Sequence, residues 1–193
     1  AISGFNGSQT GLIQPEAISG LNADTFVAFS GDAIGGLTAD HVSNLPSDIF
    51  TQSDGSPNLS AIEQIAALQP EAVAGLSLEH IDHIPGDALG PWDPIFEAHE
   101  GSDIGAVLTA DQISNFSNNI LHSHLNSDVI AALSPEAASG FSGDVMVSID
   151  PEDMSGFTAE HIESLRDDAL SAINDVKLEN LDPSAMSAFT AED

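Results

Sequence analysis

Large apolar residues recur at every eighth position of this chain, and that interval limits its fold more than any other feature. Phe5, Ile13, Leu21, Phe29, Leu37 and Leu45 keep it without a miss. It returns at Leu68, Leu76, Ile84 and Trp92, then at Leu108 and Phe116. After one added residue it runs through Leu125, Leu133, Phe141, Ile149, Phe157, Leu165, Ile173, Leu181 and Phe189. A second apolar residue usually follows five positions later, as at Ile18, Phe26, Ile34, Val42, Ile113, Ile130, Met146 and Ile162. One continuous α-helix does not suit this pattern: eight residues at about 100° each leave the apolar stripe drifting by roughly 80° per repeat. One continuous strand does not suit it either, because offsets of five and eight point to opposite faces.

The punctuation resolves the octad. Proline stands two positions after the beat at Pro15, Pro70, Pro94, Pro135, Pro151 and Pro183, usually preceded by Ser, Asp or Gln. That order reads as an N-cap followed by proline at the first helical position, where a missing N–H is harmless. Glycine closes many units, at Gly20, Gly36, Gly75, Gly140 and Gly156, which is the preference of a helix C-terminus. Each octad is therefore predicted to be a helix of about a turn and a half followed by a tight corner.

Two kinds of octad alternate. SPEAASGF (134–141) begins with proline after its cap and ends in glycine, whereas TAEHIESL (158–165) has alanine at that place and no closing glycine. The spacing of the glycines suggests a sixteen-residue, two-helix coil as the repeating unit. Helices this short are unstable alone and must stack. The expected fold is all-α: an α-solenoid of short helices forming a single array over residues 1–193, with irregular insertions at 51–59 and 90–107. The chain starts and stops inside octads, so it reads as a fragment of a longer repeat protein, and open ends would favour end-to-end stacking with other copies or neighbouring repeats.

Composition narrows the function. Against 31 Asp and Glu there are 2 Lys and Arg, a formal net charge of −29. Such a chain repels nucleic acid and anionic membranes. Its hydrophobic content of 41% is still enough to build a core, unlike that of acidic disordered chains. There is no cysteine, hence no disulfide or thiolate metal site. Apolar runs fall short of the ~18 residues of a membrane span. No nucleophile motif such as GxSxG and no glycine-rich phosphate loop occurs, so an enzyme is not expected.

About half of the acids stand three positions after the beat, among them Glu16, Asp24, Asp32, Asp40, Glu136, Asp144, Glu160 and Asp168. This is the first turn of each helix, where negative charge meets free N–H groups and the positive end of the helix dipole. With almost no basic partners these carboxylates need cations from solution, and Ca²⁺, a hard cation suited to carboxylate oxygens, is the natural one. The densest acidic cluster is Asp150, Glu152 and Asp153. Around Trp92, the chain's one tryptophan, stand Glu97, His99 and Asp103, a second candidate metal set. The His122/His124 pair also offers donors. His41, His80 and His161 share one place in their octads, just after the acid, which points to packing or a corner hydrogen bond.

The stretches LTADHVSNL, LTADQISNF and FTAEHIESL resemble the L-T-x-E-Q-[IV]-x-x-L repeats of large secreted or surface-attached bacterial proteins, especially marine ones. The resemblance covers nearly the whole chain and implies an extracellular, non-catalytic repeat region; it assigns no functional residue. The expected role is that of an acidic scaffold or spacer in a secreted surface, matrix or filament-forming protein, with divalent cations as partners. A second reading stays open: a ligand- or metal-binding module built on the irregular coils around Trp92.

Overall fold

The structure, a computed structural model, describes residues 4–52, 54–56, 58–77, 79–80, 95–96, 99, 101–116 and 124–189. Trp92, Glu97 and His122 lie outside the described residues. The chain is all-α, with no strand among the described residues. It divides into two compact units, Ala1–His99 and Glu100–Asp193.

The helices are short, from three to six residues each. In the first unit they are Gly7–Thr10, Pro15–Ile18, Ala23–Val27, Gly31–Ile34, Ala39–Ser43, Leu59–Gln64 and Pro70–Val73, with 3₁₀ turns Ser47–Phe50 and Ile65–Ala67. In the second they are Gly101–Gly105, Ala110–Ser114, Ser127–Ala132, Pro135–Ala138, Gly143–Ser148, Ala159–Ser164, Asp167–Ser171 and Asp175–Asn180, with 3₁₀ turns Pro151–Gly156 and Ala185–Ala188. Their starts follow the octad. Asn6, Asn22, Thr38, Thr109 and Thr158 are N-caps whose side chains accept the backbone N–H three residues on. That third residue reaches back to close a capping box. Ser134 caps the helix that begins at Pro135, whereas the side chains of Gln14, Gln69 and Asp150, at the cap before proline, do not cap the helix that follows.

The expected sixteen-residue coil is not the packing unit. In the second unit Ala110–Ser114 packs on Pro135–Ala138, that helix on Ala159–Ser164, and the last on Ala185–Ala188. A second succession joins Gly101–Gly105, Ser127–Ala132, Pro151–Gly156 and Asp175–Asn180, and a third joins Gly143–Ser148 to Asp167–Ser171. Successive partners begin three octads apart rather than two. The first unit repeats this before its insertion: Gly7–Thr10 packs on Gly31–Ile34, Pro15–Ile18 on Ala39–Ser43, and Ala23–Val27 on Ser47–Phe50.

Three is odd, and that reconciles the two periods. When two kinds of octad alternate along the chain and packing partners lie three octads apart, every helix of one kind meets a helix of the other. The proline-type helix Pro135–Ala138 thus lies between the alanine-type helices Ala110–Ser114 and Ala159–Ser164.

The closing glycines also have a different cause from the expected one. Among the described residues only Gly55 has a positive φ, so Gly20, Gly36, Gly75, Gly140 and Gly156 are not left-handed helix caps. Four of them are contact points. A Cβ on Gly140 would collide with the Ala110 carbonyl and lie 2.7 Å from its Cα. One on Gly156 would lie 2.9 Å from both Ser127 Cα and Ile130 Cβ, and one on Gly75 would lie 2.9 Å from Val42 Cβ. A Cβ on Gly36 would strike Gly7. Glycine closes the octad because the partner backbone, three octads earlier, fills the space of a side chain.

The core follows the two apolar positions of the octad. Ile18, Phe26, Ile34, Val42, Ile113, Ile130, Met146 and Ile162 are buried, as are the beat residues Leu37, Leu45, Leu125, Leu133, Phe141 and Phe157. Rings meet within the core, Phe26 to Phe50 at 6.4 Å and Phe141 to Phe157 at 5.2 Å between centroids. Both pairs are edge-on, the arrangement that the ring quadrupoles favour.

Candidate functional site

Thr10, His41, His80, Gln112, His161 and Lys177 are the buried polar side chains of the described residues. All but Thr10 occupy one place, four positions after the beat in an alanine-type octad. Helix geometry gives that place, the third residue of the helix, two tasks. It can reach back to the N-cap, and it can reach outward to the neighbouring layer.

Histidine does both. The Thr38 backbone N–H donates to His41 Nδ1 at 3.1 Å, and His41 Nε2 bonds the Ile13 carbonyl at 2.8 Å. Ser77 N–H donates to His80 Nδ1 at 3.0 Å, with Nε2 on the Leu45 carbonyl at 2.9 Å. Thr158 N–H donates to His161 Nδ1 at 3.2 Å, with Nε2 on the Leu133 carbonyl at 2.8 Å. A nitrogen facing an N–H must be the acceptor and one facing a carbonyl must be the donor, so these rings are neutral Nε2–H tautomers. Each ring satisfies an orphan N–H of its own helix. It also bonds the carbonyl of a beat residue in an earlier layer, three octads before the beat that precedes its own cap, or beyond the 51–59 stretch in the case of His80.

Gln112 takes the same place, its Oε1 accepting from Thr109 N–H at 3.0 Å. Lys177 donates to the carbonyls of Ile149 and Val147. Burial holds its ammonium below the usual lysine range, while Asp150 pulls the other way.

Carboxylates tie the layers in the opposite direction. Asp168 accepts from the Gly143 N–H at 2.9 Å, Asp32 from Gly7 N–H at 3.3 Å, and Asp153 from Ser127 N–H at 3.1 Å. In each case the donor is the first helical residue of the alanine-type partner, so a proline-type octad caps a helix three octads away. The Gly143 bond, helped by Arg166 at 3.1 Å, holds the Asp168 carboxyl below its usual range. The expectation that Asp32 and Asp168 serve their own helix starts is thus incomplete. The outward bonds depend on which helices pack together, and a linear sequence does not display that.

The candidate metal ligands are placed as follows. Asp153 is spent on Ser127, and its carboxyl is raised above the usual range by burial first and then by Asp150 and Glu152. His99 Nε2 is on the Leu68 carbonyl at 2.8 Å, the same use of an imidazole as at the other three histidines. His99 belongs to the first unit and the exposed Asp103 to the second. Glu97 is outside the described residues. Among the described residues no three His, Asp or Glu side chains gather so as to hold a metal ion.

Asp153 gives a pH-dependent expectation. A raised carboxyl disfavours the folded state while it is ionised, and this penalty fades as pH falls through the raised value. Asp153→Asn, which keeps an oxygen for Ser127 N–H, is expected to stabilise the chain at neutral pH by well under about 1 kcal/mol after solvent screening. In urea titrations the gain should shrink on acidification.

Within residues 51–59 a turn is held by Gln52 N–H, which donates to the Ser56 carbonyl at 2.7 Å, and by Asp54, which accepts from Ser56 N–H and Oγ. It borders an open polar cleft of about 650 Å³ whose walls include Asn22, Asp24, Asp48, Thr51 and Asn58. No helix among the described residues is long and apolar enough to cross a membrane. Compared with models of protein families, with curated proteins and with solved structures, the chain matches none.

Proposed function

We propose that this chain is an acidic α-solenoid segment of a secreted surface, matrix or filament-forming protein and serves as a non-catalytic scaffold or spacer. The supporting observation is what its buried polar side chains do. In one recurrent place, His41, His80 and His161 couple a helix start to the layer before it, and Lys177 bonds that layer's carbonyls. Carboxylates return the coupling through Asp32, Asp153 and Asp168. Chemistry that an enzyme would aim at a substrate is aimed here at the chain's own backbone.

The exposed acids give the scaffold its second property. Its net charge of −29 makes it repel itself at low ionic strength. Salt relaxes that repulsion, because the Debye length falls to about 8 Å at physiological ionic strength. Divalent cations act on this reading as a diffuse atmosphere over the surface.

Antibody labelling of intact source cells, with fractionation in parallel, tests the assignment. The chain's epitopes are expected on the cell surface or in the shed matrix; recovery solely from the cell interior would overturn the extracellular role. Circular-dichroism melts in NaCl and CaCl₂ at matched ionic strength test the cation reading. Equal stabilisation is expected, and a rise confined to CaCl₂ would replace the diffuse atmosphere with specific sites.

A further inference from the structure

We propose that the interlayer histidines form a proton-operated latch, so that mild acid loosens the stacking of the helices. At His41 and His80 the Nδ1 atom faces both the N-cap backbone N–H and the N-cap hydroxyl, Thr38 Oγ1 at 2.8 Å and Ser77 Oγ at 3.0 Å. At His161 it faces the Thr158 N–H. Nδ1 is an acceptor in all three. A proton there turns it into a donor opposite a donor, and although a hydroxyl can rotate to accept, a backbone N–H cannot. The capping bond is lost and the N–H is left without its partner. A charge then sits on a ring that is only 2% to 3% exposed, where ionisation is costly. His80 and His161 also lie edge-on to Phe50 and Phe157, each at 6.3 Å, so their surroundings are partly aromatic.

The opposing charges are identifiable. Around His41 they are Asp40 on its own helix, Glu16 on Pro15–Ile18 and Glu71 on Pro70–Val73. Around His161 they are Glu160 and Glu163 on its own helix and Glu136 on Pro135–Ala138, while Ala185–Ala188 carries none. Beside His80 they are Glu79, and Asp48 in the octad whose Leu45 carbonyl it bonds. All of these carboxylates are exposed, so water and salt weaken their pull on a buried imidazole. The lost capping bond acts at the ring itself.

Gln112 supplies the control, because it caps from the same place and an amide does not titrate in this range. The test compares thermal melts of the whole chain with those of the triple variant His41→Gln, His80→Gln, His161→Gln from about pH 7.5 to about pH 5.5. Both proteins share every carboxylate, so acid effects on the acids cancel. The native chain is expected to lose about 5–10 °C more than the variant. Parallel curves would overturn the latch. If the triple variant does not fold, His161→Gln alone and the ring-nitrogen chemical shifts of the native chain at neutral pH serve instead. Nδ1–H tautomers in those spectra would overturn the proposal as surely as parallel melts.

Discussion

Gly140→Ala is expected to destabilise the chain by about 3 kcal/mol or more, whereas Gly20→Ala should be neutral or mildly stabilising. The two glycines close octads of the same kind, PEAASG and PEAISG. What differs is the partner. A methyl group on Gly140 would meet the carbonyl oxygen, carbonyl carbon and Cα of Ala110, all of them backbone, so relief requires moving one helix off another. On Gly20 the nearest atom is the Ala17 carbonyl oxygen at 3.6 Å, an ordinary contact. Neither position has a positive φ, so Gly20→Ala carries no backbone strain and narrows the unfolded ensemble. Urea titrations monitored by circular dichroism read both values. Equal effects at the two positions would mean that local helix propensity, not the approach of the partner backbone, explains the closing glycines.

Removing one octad is expected to do far more damage than removing two. If residues 142–149 are deleted, the next three helices meet partners of their own kind. Asp168, which takes an N–H from Gly143, would then face a helix whose first residue is Pro135, with no N–H to give. Ser164, which stands where a proline-type octad has its closing glycine, would meet a helix start that needs glycine above it. Deleting 142–157 takes out one octad of each kind, and unlike partners still meet. The shorter deletion is expected to be less stable than the longer one by about 3 kcal/mol or more, despite leaving more chain behind. Denaturant midpoints and the sharpness of the transitions decide the matter.

Much of this was legible in the residues. Proline after a cap residue, Thr-Ala-Asp-His and Thr-Ala-Glu-His marked helix starts that the structure places at Pro135, Ala39 and Ala159, and the two apolar positions of each octad became the core. The shared place of His41, His80 and His161 pointed to packing or a corner bond, and the structure supplies both. What stayed hidden was the number of octads between partners. A sixteen-residue glycine period arises from a two-helix coil, and it arises equally from two alternating kinds packed at any odd interval. Only the approach of Gly140 to Ala110, or of His161 to Leu133, separates these cases. The outward reach of Asp153 and Asp168 was hidden for the same reason. Asp153 and His99, one from each candidate metal set, each bond the backbone of another layer.

The interlayer bonds of the histidines, Lys177 and the three aspartates all end on main-chain carbonyls or amides. Such a bond is indifferent to the side chain of the residue it reaches, proline at an amide excepted. The exposed positions of each helix are therefore released from the task of recognising their neighbours, and their chemistry can be rewritten without renegotiating the stack. The acidity of this chain becomes a property of its coating and not of its frame. A version with most exposed Glu and Asp replaced by Gln and Asn, sparing Asp32, Asp153 and Asp168, would carry the same architecture under a neutral surface.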